Sequence, residues 1–261
     1  MELQLQGKVA LVVASSQGLG KAVATELVKE GANVMLTSRD AAKLQAVQQE
    51  LEQLGKGKVA WHRADITQAD DIKALLTAVR DTFGKLDILV NNAGGPPAGT
   101  FEQLTDEDWQ RAFELNLLSY IRMIREALPD LKQRGGRIVN IASSSVKQPI
   151  PGLILSNTFR LGIVGLTKTL AEELAPYNIL INTVAPGRIA TGRLLYLDQK
   201  RAEHLGISRE EVAEQARNQI PLGRYGTPEE FAKVVAFLVS DASTYITGST
   251  LLVDGGMVKG I

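Results

Sequence analysis

Short apolar runs recur along the chain, separated by stretches long enough to hold a helix. They occupy residues 9–14, 33–37, 58–63, 86–90, 137–142, 178–184 and 251–253. Continuous apolar runs of this length are typical of strands that are buried on both faces of a parallel sheet. The stretches between them carry helix-start signals at Asp40, Thr105 and Thr227 and at Thr67, where Asp70 would complete a capping box. The pattern predicts a single-domain α/β protein with a Rossmann-type, doubly wound parallel sheet of about seven strands and helices on both faces.

Two of the predicted helices are long, and each carries candidate functional positions. One is expected over about 105–133, where Trp109, Phe113 and Leu117 recur every four residues and predict a buried face. The other is expected over about 153–174.

Composition excludes several classes of protein. Lysine plus arginine and aspartate plus glutamate each number 29, and this balance argues against a nucleic-acid-binding surface. The chain has no cysteine, so disulfides and thiol catalysis are ruled out. The sequence shows no apolar signal core and no bilayer-spanning run, so we expect a cytoplasmic protein without membrane contact. His62 and His204 are isolated, and no metal site is predicted.

The first strand leads into a glycine-containing turn that opens a helix. Backbone N–H groups and the helix dipole at such a turn attract phosphate. The candidate contacts are Ser15, Ser16, Gln17, Gly18 and Leu19. Two glycines alone are also compatible with an ordinary strand-to-helix turn, but the rest of the pattern favours dinucleotide binding.

The end of the second strand bears on the choice of dinucleotide. An acidic residue here would bind a ribose 2′-hydroxyl, whereas an arginine can hold a 2′-phosphate. The chain has Ser38 followed by Arg39, which favours NADP over NAD. The alternative is a solvated Arg39 beside Asp40, which would only cap the next helix.

The segment around residues 137–174 organises the rest of the chain. A strand is followed by Ser143, then by a turn rich in proline and glycine, then by a helix in which Ser156 and Arg160 share one face. With the downstream run G-I-V-G-L-T-K, this layout resembles the catalytic segment of the classical short-chain dehydrogenase/reductase family. That family has a serine, a tyrosine and a lysine at these three positions. Here Ser143 matches the serine, but Ser156 stands in place of the tyrosine and Arg160 in place of the lysine.

Further motifs extend the resemblance over nearly the whole chain. They are N-N-A-G at 91–94, E-L-N-L-L around Asn116, P-G-R-I-A-T at 186–191 and D-G-G at 254–256, while the family's T-G-x-x-x-G-x-G departs here at Val13 and Ala14. The resemblance looks closest to the 3-oxoacyl-acyl-carrier-protein reductase-like branch. It implies a catalytic role for Asn116, Ser143, Ser156 and Arg160. It implies cofactor contacts from Asp65, Ile66, Asn92, Ala93, Gly94, Arg160, Pro186, Gly187, Ile189 and Thr191.

The resemblance implies an NADP(H)-dependent oxidoreductase acting on a carbonyl or alcohol of the 3-oxoacyl thioester type, with altered or reduced catalysis. It also implies a homotetramer or homodimer paired through the two long helices. Residues 188–226 would be a substrate-covering insertion within the single domain 1–261. Three readings of the replaced residues stay open: a water held by Ser143 and Ser156 as the acid, a nucleotide-binding or sensor protein without turnover, and an anion site with Arg160 as its clamp.

Overall fold

Strands and helices alternate along almost the entire chain. The computed structural model describes residues 2–260. In chain order the elements are β1 Val9–Val13, α1 Gly18–Lys29, β2 Asn33–Ser38, α2 Ala41–Glu52, β3 Val59–Arg63, α3 Ala69–Phe83, β4 Ile88–Asn91, α4 Asp106–Phe113, α5 Ser119–Arg134, β5 Gly136–Ile141, α6 Ile154–Leu174, β6 Ile179–Pro186, α7 Gly192–Leu205, α8 Arg209–Asn218, α9 Pro228–Val239 and β7 Thr250–Val253.

All neighbouring strands of the sheet run parallel. Within residues 2–260 the sheet has seven strands in the order β3-β2-β1-β4-β5-β6-β7. Two apolar cores lie on its opposite faces. The predicted doubly wound fold is therefore confirmed. The strand order reverses between β1 and β4, and ligands of such sheets bind outside the carboxyl ends of the strands at that point.

Several strand ends differ from the prediction for local reasons. β1 ends at Val13 because Ala14 adopts a left-handed φ of 51° and turns the chain away from the sheet. β6 begins at Ile179 because Asn178, with φ of 56°, closes the preceding turn. β6 also continues to Pro186, which pairs in register with Val253. Apolar pattern alone does not report a left-handed residue, so sequence reading extends strands past such turns.

The helix expected over 105–133 is interrupted. A π-helical turn, Glu114–Leu118, separates α4 from α5. Trp109, Phe113 and Leu117 still share one face, as predicted, and this face packs on α6: both aromatic rings contact Phe159, and Leu117 faces Gly162. The burial is less complete than predicted, because all three side chains are only partly buried. Such π turns recur at functional sites, and this one has Asn116 at its centre.

Most of the helix N-caps predicted from the sequence are confirmed. Asp40, Thr105 and Thr227 accept backbone N–H bonds as the N-caps of α2, α4 and α9. The capping box at Thr67 is wrong. Helix α3 starts later, at Ala69, because the Thr67 hydroxyl donates to the Asp65 carboxylate instead.

A chain of buried amides and hydroxyls ties helix α6 to the sheet. Asn91 donates to Asn140 at 2.9 Å, Asn140 donates to Thr167 at 2.9 Å, and Thr167 lies 2.9 Å from the Thr183 hydroxyl. The network links β4, β5, α6 and β6. It sets the position of α6, and with it that of the side chains α6 presents to the carboxyl ends of the strands.

Residues 188–226 form a closed excursion that contains α7 and α8. The backbone pairs Arg188 with Gly226 at 3.0 Å and Gly226 with Ala190 at 2.9 Å, so the two ends of the excursion meet. Inside it, Arg188 forms a 2.6 Å ion pair with Asp198, and the Tyr225 hydroxyl donates to the same carboxylate at 3.0 Å. These contacts hold α7 against the base of the excursion.

The two small residues expected at a helix-pairing surface behave differently. A Cβ on Gly162 would meet Leu117 at 3.0 Å, so this glycine serves packing within the chain. A Cβ on Gly165 would meet nothing within 4 Å, and Gly165 is exposed. Pairing of copies through α5 and α6 stays a prediction, for which light scattering that finds a monomer would be contrary evidence. Among residues 2–260, no helix combines the length and the apolar character needed to cross a membrane.

Candidate active site

A cleft of about 610 Å³ runs along the carboxyl ends of the strands. Its size suits a small-molecule or cofactor site. The predicted site residues that line it are Ser16, Gln17, Gly18, Leu19, Ser38, Arg39, Asp65, Ile66, Asn92, Ala93, Gly94, Ser143, Ser156, Arg160, Pro186, Gly187, Ile189 and Thr191. Two predicted residues, Ser15 and Asn116, lie outside this lining.

The cleft has two halves. The glycine-turn half comprises the lining residues after β1, β2 and β3, namely Ala14, 16–19, 38–40, Lys43 and 64–66. The serine half comprises those after β4, β5 and β6, those on α6, and those from the excursion 188–226. The sheet brings both halves to one edge because all its strands point the same way.

The glycine-turn half is shaped by close backbone approach. A Cβ on Gly20 would lie 2.3 Å from the Ala14 carbonyl oxygen, so α1 can approach β1 only with glycine there. The Asn92 amide donates to the same Ala14 oxygen at 3.3 Å and joins the turn to β4. Helix α1 begins without a capping side chain and without an acid in its first turn. Its N-terminus is therefore open to an anion.

Ser15 binds the backbone of β2 and does not line the cleft. Its side chain is fully buried, and its hydroxyl oxygen accepts the Thr37 backbone N–H at 2.9 Å. The neighbouring Ser16 is the serine of this turn that faces the cleft. Sequence could not separate the two, because which of two adjacent serines faces inward depends on where β1 ends.

Basic side chains gather where β2 ends. Arg39 and Lys43 both line the cleft, and Arg39 is exposed. Lys43 pairs with Asp40 at 3.5 Å, whereas no carboxylate within residues 2–260 pairs with Arg39. Arg39 is thus free to meet an anionic group that enters this half. Lys43 is not among the residues predicted from sequence, although it lies one helical turn after the N-cap Asp40.

In the serine half, Ser143 keeps its hydroxyl hydrogen for a ligand. Its oxygen accepts the Ser145 backbone N–H at 3.2 Å, at the start of the short turn after β5. No acceptor within residues 2–260 takes the hydroxyl hydrogen, which is therefore left for a ligand oxygen. Ser143 lines the cleft and is only partly buried, so a ligand oxygen can reach it.

Ser156 and Arg160 project from one face of α6 into the same half. Each is only 6% exposed. The Arg160 guanidinium donates to the backbone oxygens of Ile141 and Ala142 at 3.0 Å each, and to that of Ala93 at 3.3 Å. Arg160 therefore ties the ends of β4 and β5 to α6. Its Nε–H and one Nη2 hydrogen have no protein acceptor among the described residues.

A tyrosine lies near this group but behind the cleft. Tyr120 is 1% exposed and donates its hydroxyl to the Ile141 oxygen at 2.8 Å, sharing that acceptor with Arg160. Burial raises the pKa of Tyr120, and the nearby Arg160 guanidinium opposes this shift. The phenol is neutral, occupied and shut off from the cleft, so it cannot deliver a proton there.

Asn116 supports the floor of the cleft. It is fully buried in the π turn, and its amide nitrogen donates to the Gly94 oxygen at 2.8 Å. Its amide oxygen is buried without a partner in the protein, an arrangement that suits a bound water. Gly94 itself has open space where a side chain would stand.

Among residues 2–260, no side chain of the serine half belongs to a type that titrates near neutral pH. Its hydrogen-bonding side chains are Asn92, Ser143, Ser156, Arg160, Thr191 and Arg193. The lining carboxylates Asp40 and Asp65 and the lining amine Lys43 all belong to the glycine-turn half. The sequence predicts Arg193 within the excursion but does not assign it to the site. The excursion's position after β6 was the available signal.

Comparison with known proteins agrees with the fold and the cleft. Residues 13–258 match the family described as enoyl-(acyl carrier protein) reductase. The 3-oxoacyl-[acyl-carrier-protein] reductase FabG of Aquifex aeolicus is 37% identical over 258 residues, covering 98% of this chain and 100% of that protein.

Two solved structures are similar throughout. L-sorbose reductase from Gluconobacter frateurii, in complex with NADPH and L-sorbose, has a TM-score of 0.95 at 32% identity and full coverage of both chains. An actinorhodin polyketide ketoreductase with NADPH has a TM-score of 0.93 at 34% identity, covering 96% of this chain and 97% of its own. The chain matches such reductases over nearly its whole length, and its parallel sheet and cleft have the same arrangement. The chain therefore belongs to the short-chain dehydrogenase/reductase family.

Proposed function

We propose that this protein is an NADP(H)-dependent oxidoreductase that transfers hydride between the nicotinamide ring and a carbonyl or alcohol carbon, with water in place of a side chain as the proton source. The observation that carries this proposal is the convergence of Ser143, Ser156 and Arg160 on the same cleft as the open start of α1. The substrate is a small carbonyl compound or an acyl thioester. The activities named for two similar proteins, reduction of a 3-oxoacyl thioester and of L-sorbose, support this class.

The residues of the cleft fit the cofactor. The uncapped first turn of α1 suits the pyrophosphate, and the open space beside Gly94 suits a ribose in close contact with backbone. Arg39, with Lys43 beside it, suits a 2′-phosphate. When bound, NADPH supplies the hydride. The chain binds it and orients it.

Ser143 is proposed to bind the reacting oxygen of the substrate. Its hydroxyl hydrogen has no acceptor within residues 2–260, so it can donate to that oxygen. A hydrogen bond to a carbonyl oxygen that gains negative charge stabilises the transition state more than the ground state. This role needs no change of protonation in the serine.

Proton delivery is assigned to water. An aliphatic hydroxyl such as Ser156 is a far weaker acid than the phenol it replaces, and an arginine does not deprotonate in proteins. Ser156 has no protein hydrogen-bond partner within residues 2–260 and faces the cleft, so it can hold a water beside Ser143. Arg160 fixes the strand ends and keeps two N–H groups for the cofactor ribose or for that water.

The test combines binding with turnover. Titration by NADPH fluorescence should show tighter binding of NADPH than of NADH. NADPH oxidation should then be detectable with L-sorbose or an acetoacetyl thioester, at a rate nearly independent of pH between about 6 and 9, since the serine half contains no group that titrates there. A bell-shaped profile would mean that a side chain acts as the acid. Equal affinity for the two cofactors would contradict the assignment of NADP.

The absence of a titrating group in the described serine half also favours a second candidate, an NADPH-binding protein without turnover. The same experiment separates the two. Binding of NADPH without any oxidation across the substrate panel, including single-turnover conditions, would select the non-catalytic protein. Oxidation that yields product in proportion to NADPH consumed would exclude it.

A further inference from the structure

One arginine of the serine half has no role in the reaction described above. Arg193 lies in the first turn of α7, within the excursion, and its side chain lines the cleft. Its Nη2 donates to the Pro96 oxygen at 2.7 Å, and its guanidinium lies 5.3 Å from the centre of the Tyr196 ring. A Cβ on Gly95 would lie 2.6 Å from Nη2, so the guanidinium packs directly against the loop after β4. The side chain is therefore held in place from two sides.

The charge of Arg193 is not balanced by the protein. No carboxylate within residues 2–260 pairs with it, and both lining carboxylates lie in the other half of the cleft. Burial and the neighbouring Arg160 lower the pKa of Arg193 below its usual range. Yet an arginine stays protonated in proteins. The serine half thus contains two fixed guanidinium groups and no anion.

Arg188, in the same excursion, has its charge balanced by a carboxylate of the protein. Arg188 is partly buried too, but it pairs with Asp198 at 2.6 Å, and Tyr225 holds that carboxylate in position. A partly buried cation without such a partner costs desolvation free energy that a ligand anion can offset. The contrast between Arg188 and Arg193 points to a ligand as the missing partner.

We propose that Arg193 determines substrate specificity by binding an anionic group of the substrate, a carboxylate or a phosphate-type oxyanion, while Ser143 binds its carbonyl or hydroxyl oxygen. This inference rests on the proposed function and adds the chemical class of the substrate. Arg193 has one protein acceptor and keeps its other N–H groups for the ligand, which allows the two-pronged contact that arginine makes with oxyanions. Arg160 adds positive potential but has most of its hydrogen bonds committed to backbone.

The experiment uses the NADPH-loaded protein and matched pairs of ligands. The probes are levulinate, benzoylformate and 2-oxopropylphosphonate, each beside its neutral methyl ester, and binding is read from the fluorescence of bound NADPH. The variants are Arg193→Met, which removes the charge, and Arg193→Lys, which keeps it. Arg201→Met is the matched control, because Arg201 is an exposed residue of the same helix that does not line the cleft.

At least one anion should bind the wild type more tightly than its ester. Arg193→Met should weaken that anion by about ten- to a hundredfold and leave the ester and NADPH unchanged. Arg193→Lys should recover part of the preference, and Arg201→Met should behave as wild type. The anion whose binding weakens in Arg193→Met shows whether the site recognises a carboxylate or a phosphonate.

Three results would overturn the inference. One is a wild type that binds no anion better than its ester. Another is an Arg193→Met variant whose NADPH affinity falls as much as its anion affinity, which would assign Arg193 to the cofactor. The third is equal loss in Arg201→Met, which would indicate a diffuse charge effect. Failure of NADPH to bind at all is a separate result that overturns the proposed function and this inference with it.

Discussion

The two halves of the cleft are built on different principles. The glycine-turn half depends mainly on backbone: the uncapped start of α1, the Ala14 oxygen and the close approach at Gly20. The serine half depends on side chains, which must present a particular chemical group at a particular point. A site made of backbone groups tolerates a changed side chain as long as the backbone keeps the same path. Ala14 is an example, because it adopts the left-handed φ of 51° although it is not a glycine. A side-chain site changes its chemistry with a single substitution.

Within the serine half, two arginines show a second contrast. Arg160 is 6% exposed and donates hydrogen bonds to three backbone oxygens at the ends of β4 and β5. Arg193 donates one hydrogen bond, to the Pro96 oxygen. The first is primarily part of the framework, and the second is available to a ligand. The following predictions test both contrasts, beginning with the largest expected effect.

Restoring the replaced pair should change turnover most. If only proton delivery departed from the family pattern, Ser156→Tyr combined with Arg160→Lys should raise kcat/KM for a neutral ketone by about 10²–10⁴-fold, the usual contribution of general acid catalysis. Each single variant is the control and should fall well short, because the phenol needs the ammonium to lower its pKa. Steady-state NADPH oxidation measures the gain. A double variant that binds NADPH but stays inert would show that the whole serine half has diverged.

Removing the framework arginine should cost stability. Arg160→Met leaves the oxygens of Ile141, Ala142 and Ala93 without this donor in a buried position, and should lower the free energy of unfolding by about 2–4 kcal/mol. Urea unfolding followed by circular dichroism measures it. Arg193→Met is the matched control and should cost less than about 1 kcal/mol, since it loses one backbone contact. Equal costs would remove the distinction between the two arginines.

Cofactor preference should depend on the end of β2. Arg39→Ala should weaken NADPH binding by roughly tenfold or more and leave NADH unchanged, because only NADPH carries the 2′-phosphate. Fluorescence titration of both cofactors measures the ratio. Arg63→Ala is a nearby control, since Arg63 is exposed, does not line the cleft and donates only to the Arg39 backbone oxygen. A parallel loss for NADH would mean that Arg39 acts on the fold instead.

The smallest effect is expected at the strained turn. Ala14 carries a Cβ in a left-handed conformation, so Ala14→Gly should raise the free energy of unfolding by about 0.5–1 kcal/mol after the greater flexibility of glycine in the unfolded chain is allowed for. NADPH affinity should not change, because the chain path is already the one that glycine would adopt. Val13→Ala, in the adjacent strand, is the control and should destabilise. An Ala14→Gly variant that binds NADPH much more tightly would mean that the Cβ disturbs the cofactor site.

The pattern of apolar runs predicted the sheet well because each strand is buried on both faces and must be apolar throughout. The positions of Ser143, Ser156 and Arg160 on one cleft also followed from sequence, since α6 puts the last two on one face and the end of β5 meets it. Predictions failed where a local conformation broke the pattern. The π turn around Asn116 interrupts the single helix expected over 105–133, and the Thr67 hydroxyl donates to Asp65 instead of capping α3.

The sequence by itself determined the fold class, most of the residues that line the cleft and the replacement of two reactive side chains, because burial, turn signals and residue identity are all local properties of the chain. Only the tertiary structure decided which groups are free to act. Ser15 and Ser16 are equivalent in sequence, but one is committed to β2 and the other faces the cleft. Arg160, Arg188 and Arg193 are all arginines near the site, yet one holds backbone, one is neutralised by Asp198 and one has no counter-charge. That difference comes from partners distant in sequence, which no local pattern records.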